Sequence, residues 1–293
     1  MKKYFILAAA ALTLAACSND ESNNTVNDNV IRLSSSVGVV TRAASDIYPS
    51  GGHFENGTAV KVQVIDKKTT DADAVTYTAI NYTDNGSGTL TGVSTQYYPA
   101  SGSAVKVYAY YPATASTASE GFAVSTNQND DDAYKASDLM YASLDPLTKG
   151  STNALTFNHL LSKIVVTLAA GDGFDDTELA SASVVLKSVK YKGTFDPSDG
   201  SFDAADATTD ITITEAAGTT AKAAVVVPQD MSDKTLEVTI AGKTISYTFP
   251  SSSNFAPKTH NDYTITVAKT GISVSSTLGD WGTGTSDTDT LTF

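Results

Sequence analysis

Beyond residue 29 the chain alternates apolar and polar side chains with period two in many short runs, each bounded by Gly, Asn, Asp, Ser or Pro. That period sends successive side chains to opposite faces of an extended backbone, so each run has one face suited to burial. The runs predict strands over 31–40, 59–65, 75–82, 89–93, 105–111, 139–142, 155–168, 184–195, 211–214, 223–227, 236–240, 244–249, 263–267, 272–276 and 288–293. Asn85-Gly86-Ser87-Gly88, Asp199-Gly200 and Ala241-Gly242-Lys243 supply residues that tolerate positive φ in tight turns. No long helical pattern is present, and the fold class read from these runs is all-β. Fifteen strands exceed one sandwich. The Pro- and Gly-punctuated link Asp145 to Ser151 divides them into two strand-rich halves in tandem, 30–150 and 151–293, of roughly seven strands each, with the pattern of a sandwich or barrel.

The first residues carry a different pattern. Met1-Lys2-Lys3 is basic, 5–16 is apolar but short, and Leu14-Ala15-Ala16-Cys17 ends the stretch with small residues before a thiol. This is a secretion signal over 1–16 with a lipobox, which makes Cys17 the site of lipidation and the mature N-terminus. More than one acyl chain holds durably where a single chain is marginal, so the expected partner of Cys17 is the outer membrane. Residues 17–29 are polar and read as a solvated tether. Ser18-Asn19-Asp20-Glu21 resembles the short acidic signals that direct lipoproteins of the Bacteroidales to the cell surface.

Composition narrows the function. With 19 Lys and Arg against 32 Asp and Glu, the formal charge of -13 repels nucleic acid, which is not an expected partner. One Cys and three scattered His (His53, His159, His260) provide no thiolate metal site, so neither metal nor cofactor is expected. No Gly-x-Ser-x-Gly elbow, phosphate loop or distinctive acidic pair is present, and the reading is not an enzyme, with no catalytic residue. Asp130-Asp131-Asp132 lacks the alternating ligands and fixed Gly of a calcium loop and reads as a solvated acidic loop. His159, beside an apolar strand, reads as a buried, hydrogen-bonded imidazole. Tyr97-Tyr98 and Tyr108, Tyr110 and Tyr111 offer stacking platforms for a sugar ring, or else core and cross-strand pairs.

The lipobox, the region of Arg42, Phe157-Asn158-His159-Leu160-Leu161-Ser162-Lys163-Ile164-Val165-Val166, Asn261-Asp262-Tyr263-Thr264-Ile265-Thr266-Val267 and the stretch Ile272 to Trp281 together resemble the fimbrillin family, the type V pilins of the Bacteroidales. The resemblance implies two transthyretin-like β-sandwich domains, export as a lipoprotein, and cleavage after an Arg by a trypsin-like protease. That cleavage removes the first strand of the N-terminal domain, and a strand of another subunit fills the gap. Arg32 and Arg42 are the only Arg residues, with none in the 251 that follow, so an Arg-specific protease would trim only this edge. Arg42, after a strand end and before Ala43-Ala44-Ser45, is the better site, with Ala43 the new N-terminus.

The strand removed, within 30–42, carries Ile31, Leu33, Val37 and Val39 on one face with Ser35 among them. The expected donor is the tail, in which Leu291 and Phe293 point into the vacated groove while Asp287 and Asp289 share their face. The reading is therefore a structural subunit of a surface fimbria that polymerises with copies of itself or related pilins and supports adhesion. The alternative is a permanently anchored surface protein of the same fold that binds glycan or a host ligand.

Overall fold

The computed structural model describes residues 29–38, 52–67, 74–75, 77–100, 102–115, 121–215, 220–269, 271–280 and 287–291. The first part of the chain forms β1 (Arg32–Val37), β2 (Ala59–Lys67), β3 (Ala74–Val75), β4 (Ile80–Asp84), β5 (Thr89–Gly92), β6 (Ala104–Tyr111), β7 (Phe122–Ala123), α1 (Asp131–Ser137), β8 (Met140–Leu144) and β9 (Thr152–His159). Then come β10 (Ser162–Ala170), α2 (Asp176–Ala180), β11 (Ser183–Lys190), β12 (Lys192–Asp196), β13 (Ser201–Ala204), β14 (Thr208–Thr212), β15 (Thr214–Glu215) and β16 (Ala221–Val226). The last elements are β17 (Gln229–Asp230), β18 (Thr235–Ile240), β19 (Lys243–Thr248), β20 (Asn254–Phe255), β21 (Thr259–Ala268), β22 (Gly271–Asp280) and β23 (Asp287–Leu291). The expected all-β class is the observed one.

An eight-stranded sheet, ordered β3-β2-β4-β5-β1-β9-β8-β6, also pairs β6 with β2, so seven strands close into a hydrogen-bonded ring. Its interior is an apolar cluster that includes Leu33, Phe54, Val62, Val107, Leu155 and Phe157. Phe157 meets Phe54 edge-on at 5.0 Å, a favoured geometry for aromatic rings. A second cluster lies between the six-stranded sheet β15-β16-β10-β21-β22-β23 and the four-stranded sheet β14-β11-β18-β19. Ile164 and Val166 reach it from the first of these sheets, and Val184, Leu186, Leu236 and Val238 from the second.

Two expectations need correction. The division at 150/151 falls inside the first sheet, because β8 pairs with β9 (Met140 with His159, Tyr141 with Asn158) and the Pro- and Gly-rich link is only the loop joining them. Leu155 to Leu168 is not one strand either: β9 stays in the first sheet and β10 enters the six-stranded sheet, with Leu160 and Leu161 as the step between them. A local apolar pattern does not reveal that step, since both sides of it are buried. In addition, β7 pairs with β12, and Phe122, Tyr134 and Leu139 join the second cluster, so residues before the link also serve the later core.

Asp130 is the N-cap of α1: its carboxylate accepts from Ala133 N at 2.8 Å, and Asp131 and Asp132 occupy the first helical turn, where the helix dipole favours acids. The triple acid thus starts a short helix instead of a loop. His159 is buried, and its Nδ1 lies 2.8 Å from Oδ1 of Asp138 at the C-cap of that helix. The Tyr series packs inward: Tyr110 meets Phe195 edge-on at 5.3 Å, Tyr111 lies 5.2 Å from Phe54, and Tyr98 is buried. Tyr108 is half-buried, and among these five only Tyr97 is exposed.

Candidate functional site: the slot of the first strand

β1 alternates half-buried and buried positions, and Ile31, Leu33, Ser35 and Val37 are only 2–5% exposed. Arg32, Ser34 and Ser36 take the other face, where Ser36 Oγ donates to Thr156 Oγ1 at 3.1 Å. The strand lies in the middle of the ring with two unequal edges. Along one edge it runs parallel to β9 in unbroken register, from Arg32 opposite Thr152 to Val37 opposite Phe157. Along the other it is antiparallel to β5 at only two positions, Leu33 with Leu90 and Ser34 with Thr89.

Loops complete that second edge. Ser35 N donates to Gly88 O at 2.7 Å, Val37 N to Gly52 O at 2.6 Å, and Ile31 N to Gln96 O at 2.9 Å. Between Leu90 and Gln96 the chain swings away from β1 and leaves an open cavity of about 300 Å³ lined by Ile31, Leu33, Tyr82, Leu90 and Gln96. The Tyr82 hydroxyl donates to Gln96 Oε1 at 3.1 Å. Burial pushes this phenol up to about 12, and the nearby Tyr77 adds to the shift.

The one polar member of the buried row has a dedicated partner. Ser35 Oγ donates to Oδ2 of Asp84, a fully buried residue at the end of β4. Oδ1 of Asp84 accepts from Gly86 N at 2.7 Å and Gly88 N at 3.3 Å, so one carboxylate ties the β4–β5 turn to β1. Gly88 has φ +84°, and a Cβ there would lie 2.7 Å from Ser35 O and 2.6 Å from His53 Nδ1. Only glycine lets the turn come this near to β1. At the start of β1, Tyr98 N donates to Asn29 O at 2.7 Å, and Asn153 bridges the Tyr98 hydroxyl (3.2 Å) and Thr148 O (3.1 Å).

Of the residues expected from sequence to matter, Ile31, Leu33 and Val37 share this slot. Cys17, Val39, Arg42, Ala43 and Phe293 lie outside the described residues. The tail strand is not in the slot. As β23 it pairs antiparallel with β22, from Leu278 opposite Asp287 to Val274 opposite Leu291, and forms the edge of the six-stranded sheet. Asp84 and Asn153 went unnoticed in the sequence, because Asp84 acts on Ser35 and Asn153 on Tyr98, close in space and far along the chain, while Gly88 was read as a turn residue without its close approach to β1. The one available signal was Ser35, a hydroxyl within an apolar row.

The family model described as fimbrillin-like matches residues 41–281. The chain belongs to the fimbrillin-like family. β1 and β23 both fall outside the matched span of this fimbrillin-like chain. It is 26% identical over 305 residues to a Bacteroides uniformis protein called "Putative fimbrium subunit Fim1C", covering 97% of both chains. Two crystal structures, each described as a "putative cell adhesion protein", share the fold. One, from Bacteroides ovatus, has a TM-score of 0.73 at 21% identity, with 87% of this chain and 99% of that one covered. The other, from Bacteroides uniformis, has a TM-score of 0.69 at 23% identity, with 87% and 98% covered.

Proposed function

We propose that this fimbrillin-like protein is a structural, non-catalytic subunit of a cell-surface fimbria that supports adhesion. In this reading it is exported as a lipoprotein on Cys17, held at the outer membrane, cut after Arg42 by a trypsin-like protease, and polymerised when a strand of another subunit replaces β1. The observation that carries the reading is the seating of β1. An N-terminal strand with three buried aliphatic side chains sits between β5 and β9, and a basic residue follows five positions after Val37. Removing it opens a strand-wide apolar slot in the middle of a sheet, which an extended segment can fill with main-chain hydrogen bonds and alternate side chains. Family membership and the fimbrium-subunit relative support the same role.

N-terminal sequencing of assembled surface material tests it. The expected product begins at Ala43, and the Arg42→Ala form stays monomeric. Fibres whose subunits all retain residues 18–42 would refute maturation by cleavage. Cys17→Ser tests the anchor separately: the variant should leave the membrane fraction or stall as a precursor, and normal processing in that fraction would exclude lipidation.

A further inference from the structure

Period-two alternation fixes which face of an incoming strand is buried but leaves its register open, because a shift of two residues keeps the same face inward. Among the described residues of this slot, one polar feature distinguishes such shifts. The positions of Ile31, Leu33 and Val37 are apolar and make no directional contact, while the position of Ser35 lies against the buried carboxylate of Asp84. We infer that Asp84 selects the strand that enters the slot and sets its register, by requiring a hydroxyl donor between the second and third apolar side chains.

This rests on the strand-exchange reading above and names the partner's chemistry. An apolar residue over Asp84 leaves a buried oxygen without its hydrogen bond, and a carboxylate there sets two acids side by side. The backbone donors Gly86 N and Gly88 N both use Oδ1, so neither replaces the Ser35 hydroxyl on Oδ2.

The chain's own tail fails the requirement. In the row Asp287, Asp289, Leu291, Phe293, the neighbours of Leu291 are Asp289 and Phe293. Seating Leu291 beside the Ser35 position, in either chain direction, therefore brings an acid or an aromatic ring over Asp84. The occupant that fits is a strand of a different subunit with the pattern apolar-x-apolar-x-Ser/Thr-x-apolar.

The test uses the whole mature chain nicked after Arg42 and synthetic peptides that compete for the slot, with release of the native N-terminal fragment followed by mass spectrometry. The peptide spanning residues 30–38 and its Ser35→Thr form should displace the fragment. The Ser35→Val form, although more apolar, should require roughly tenfold to hundredfold more peptide, and Ser35→Asp and the tail peptide 286–293 should do no better. Equal potency of the Ser35→Val and Ser35 peptides would overturn selection by Asp84 and leave strand exchange intact. Failure of every peptide would overturn strand exchange itself. In that event the uncut chain still decides whether Asp84 reads the hydroxyl: Ser35→Thr should retain the melting temperature that Ser35→Val lowers, and equal melting would refute the pairing.

Discussion

Deleting residues 30–38 removes β1 without touching the remaining strands of the ring. The loss can be sized from burial. Ile31, Leu33 and Val37 are each at least 95% buried, and at about 1.5–3 kcal/mol per aliphatic side chain they contribute roughly 5–9 kcal/mol. That is an upper figure, since the unfolded chain also hides some of this surface. It is comparable with the roughly 5–15 kcal/mol that holds a whole domain together. Amide hydrogen exchange followed by mass spectrometry should localise the damage. Protection in β5 and β9, the two strands left with open edges, should fall about a thousandfold or more, since each 1.4 kcal/mol is a factor of ten. Protection in β10 and β21 should be retained, because their parallel ladder, from Lys163 opposite His260 to Ala170 opposite Val267, makes no use of β1. Unchanged exchange in β5 and β9 would show that β1 is a passive passenger, and the case for a vacated slot would fail. Equal loss in β10 and β21 would show that the two cores melt as one unit.

The Tyr82 phenol, raised by burial to about 12 from an ordinary value near 10, stabilises the fold fully below pH 10. As the pH rises from 10 towards 12 the unfolded chain releases this proton first, so up to roughly 2–3 kcal/mol is lost across that window. Base-titrated unfolding of Tyr82→Phe should lack this part of the fall, and identical profiles would contradict it. Gly88→Ala puts a methyl group against Ser35 O in a φ that L residues avoid, so it should lower the melting temperature and speed exchange in β1. Wild-type melting would contradict the close approach. Phe157→Ala, at a fully buried ring packed on Phe54, should cost about 3–5 kcal/mol in denaturant unfolding. By contrast, Lys67→Ala, at the exposed Lys67–Asp145 pair, should change stability by less than about 1 kcal/mol.

Which parts were legible in the sequence follows from the range of the interactions. The rows Ile31-Leu33-Ser35-Val37 and Leu155-Phe157-His159 could be read from alternation alone, and both are buried as rows. The Ala241-Gly242 turn was also legible: both residues have positive φ and join β18 to β19. Sheet order was not legible. The parallel pairing of β1 with β9 spans about 120 residues, and nothing local in either strand names the other. The partners of buried polar residues were hidden for the same reason: His159 reads as a buried, hydrogen-bonded imidazole and is one, but its Asp138 lies 21 residues back, and Ser35 finds Asp84 49 residues on. The acidic triplet held a legible N-cap, but a seven-residue helix is too short to leave a periodic trace.

The short step at Leu160 and Leu161 has a mechanical meaning. β9 flanks the slot along the whole of β1, and two residues later the same backbone becomes β10, an interior strand bonded on both sides, to β16 and β21. Tension applied along a strand seated in the slot acts on the β9 ladder in shear, loading many hydrogen bonds at once, and then passes through the covalent chain into the centre of the second sheet. The molecule thus contains a nearly continuous tensile path that bypasses its loops and runs from the β9 ladder into the longer ladder of β10 with β21.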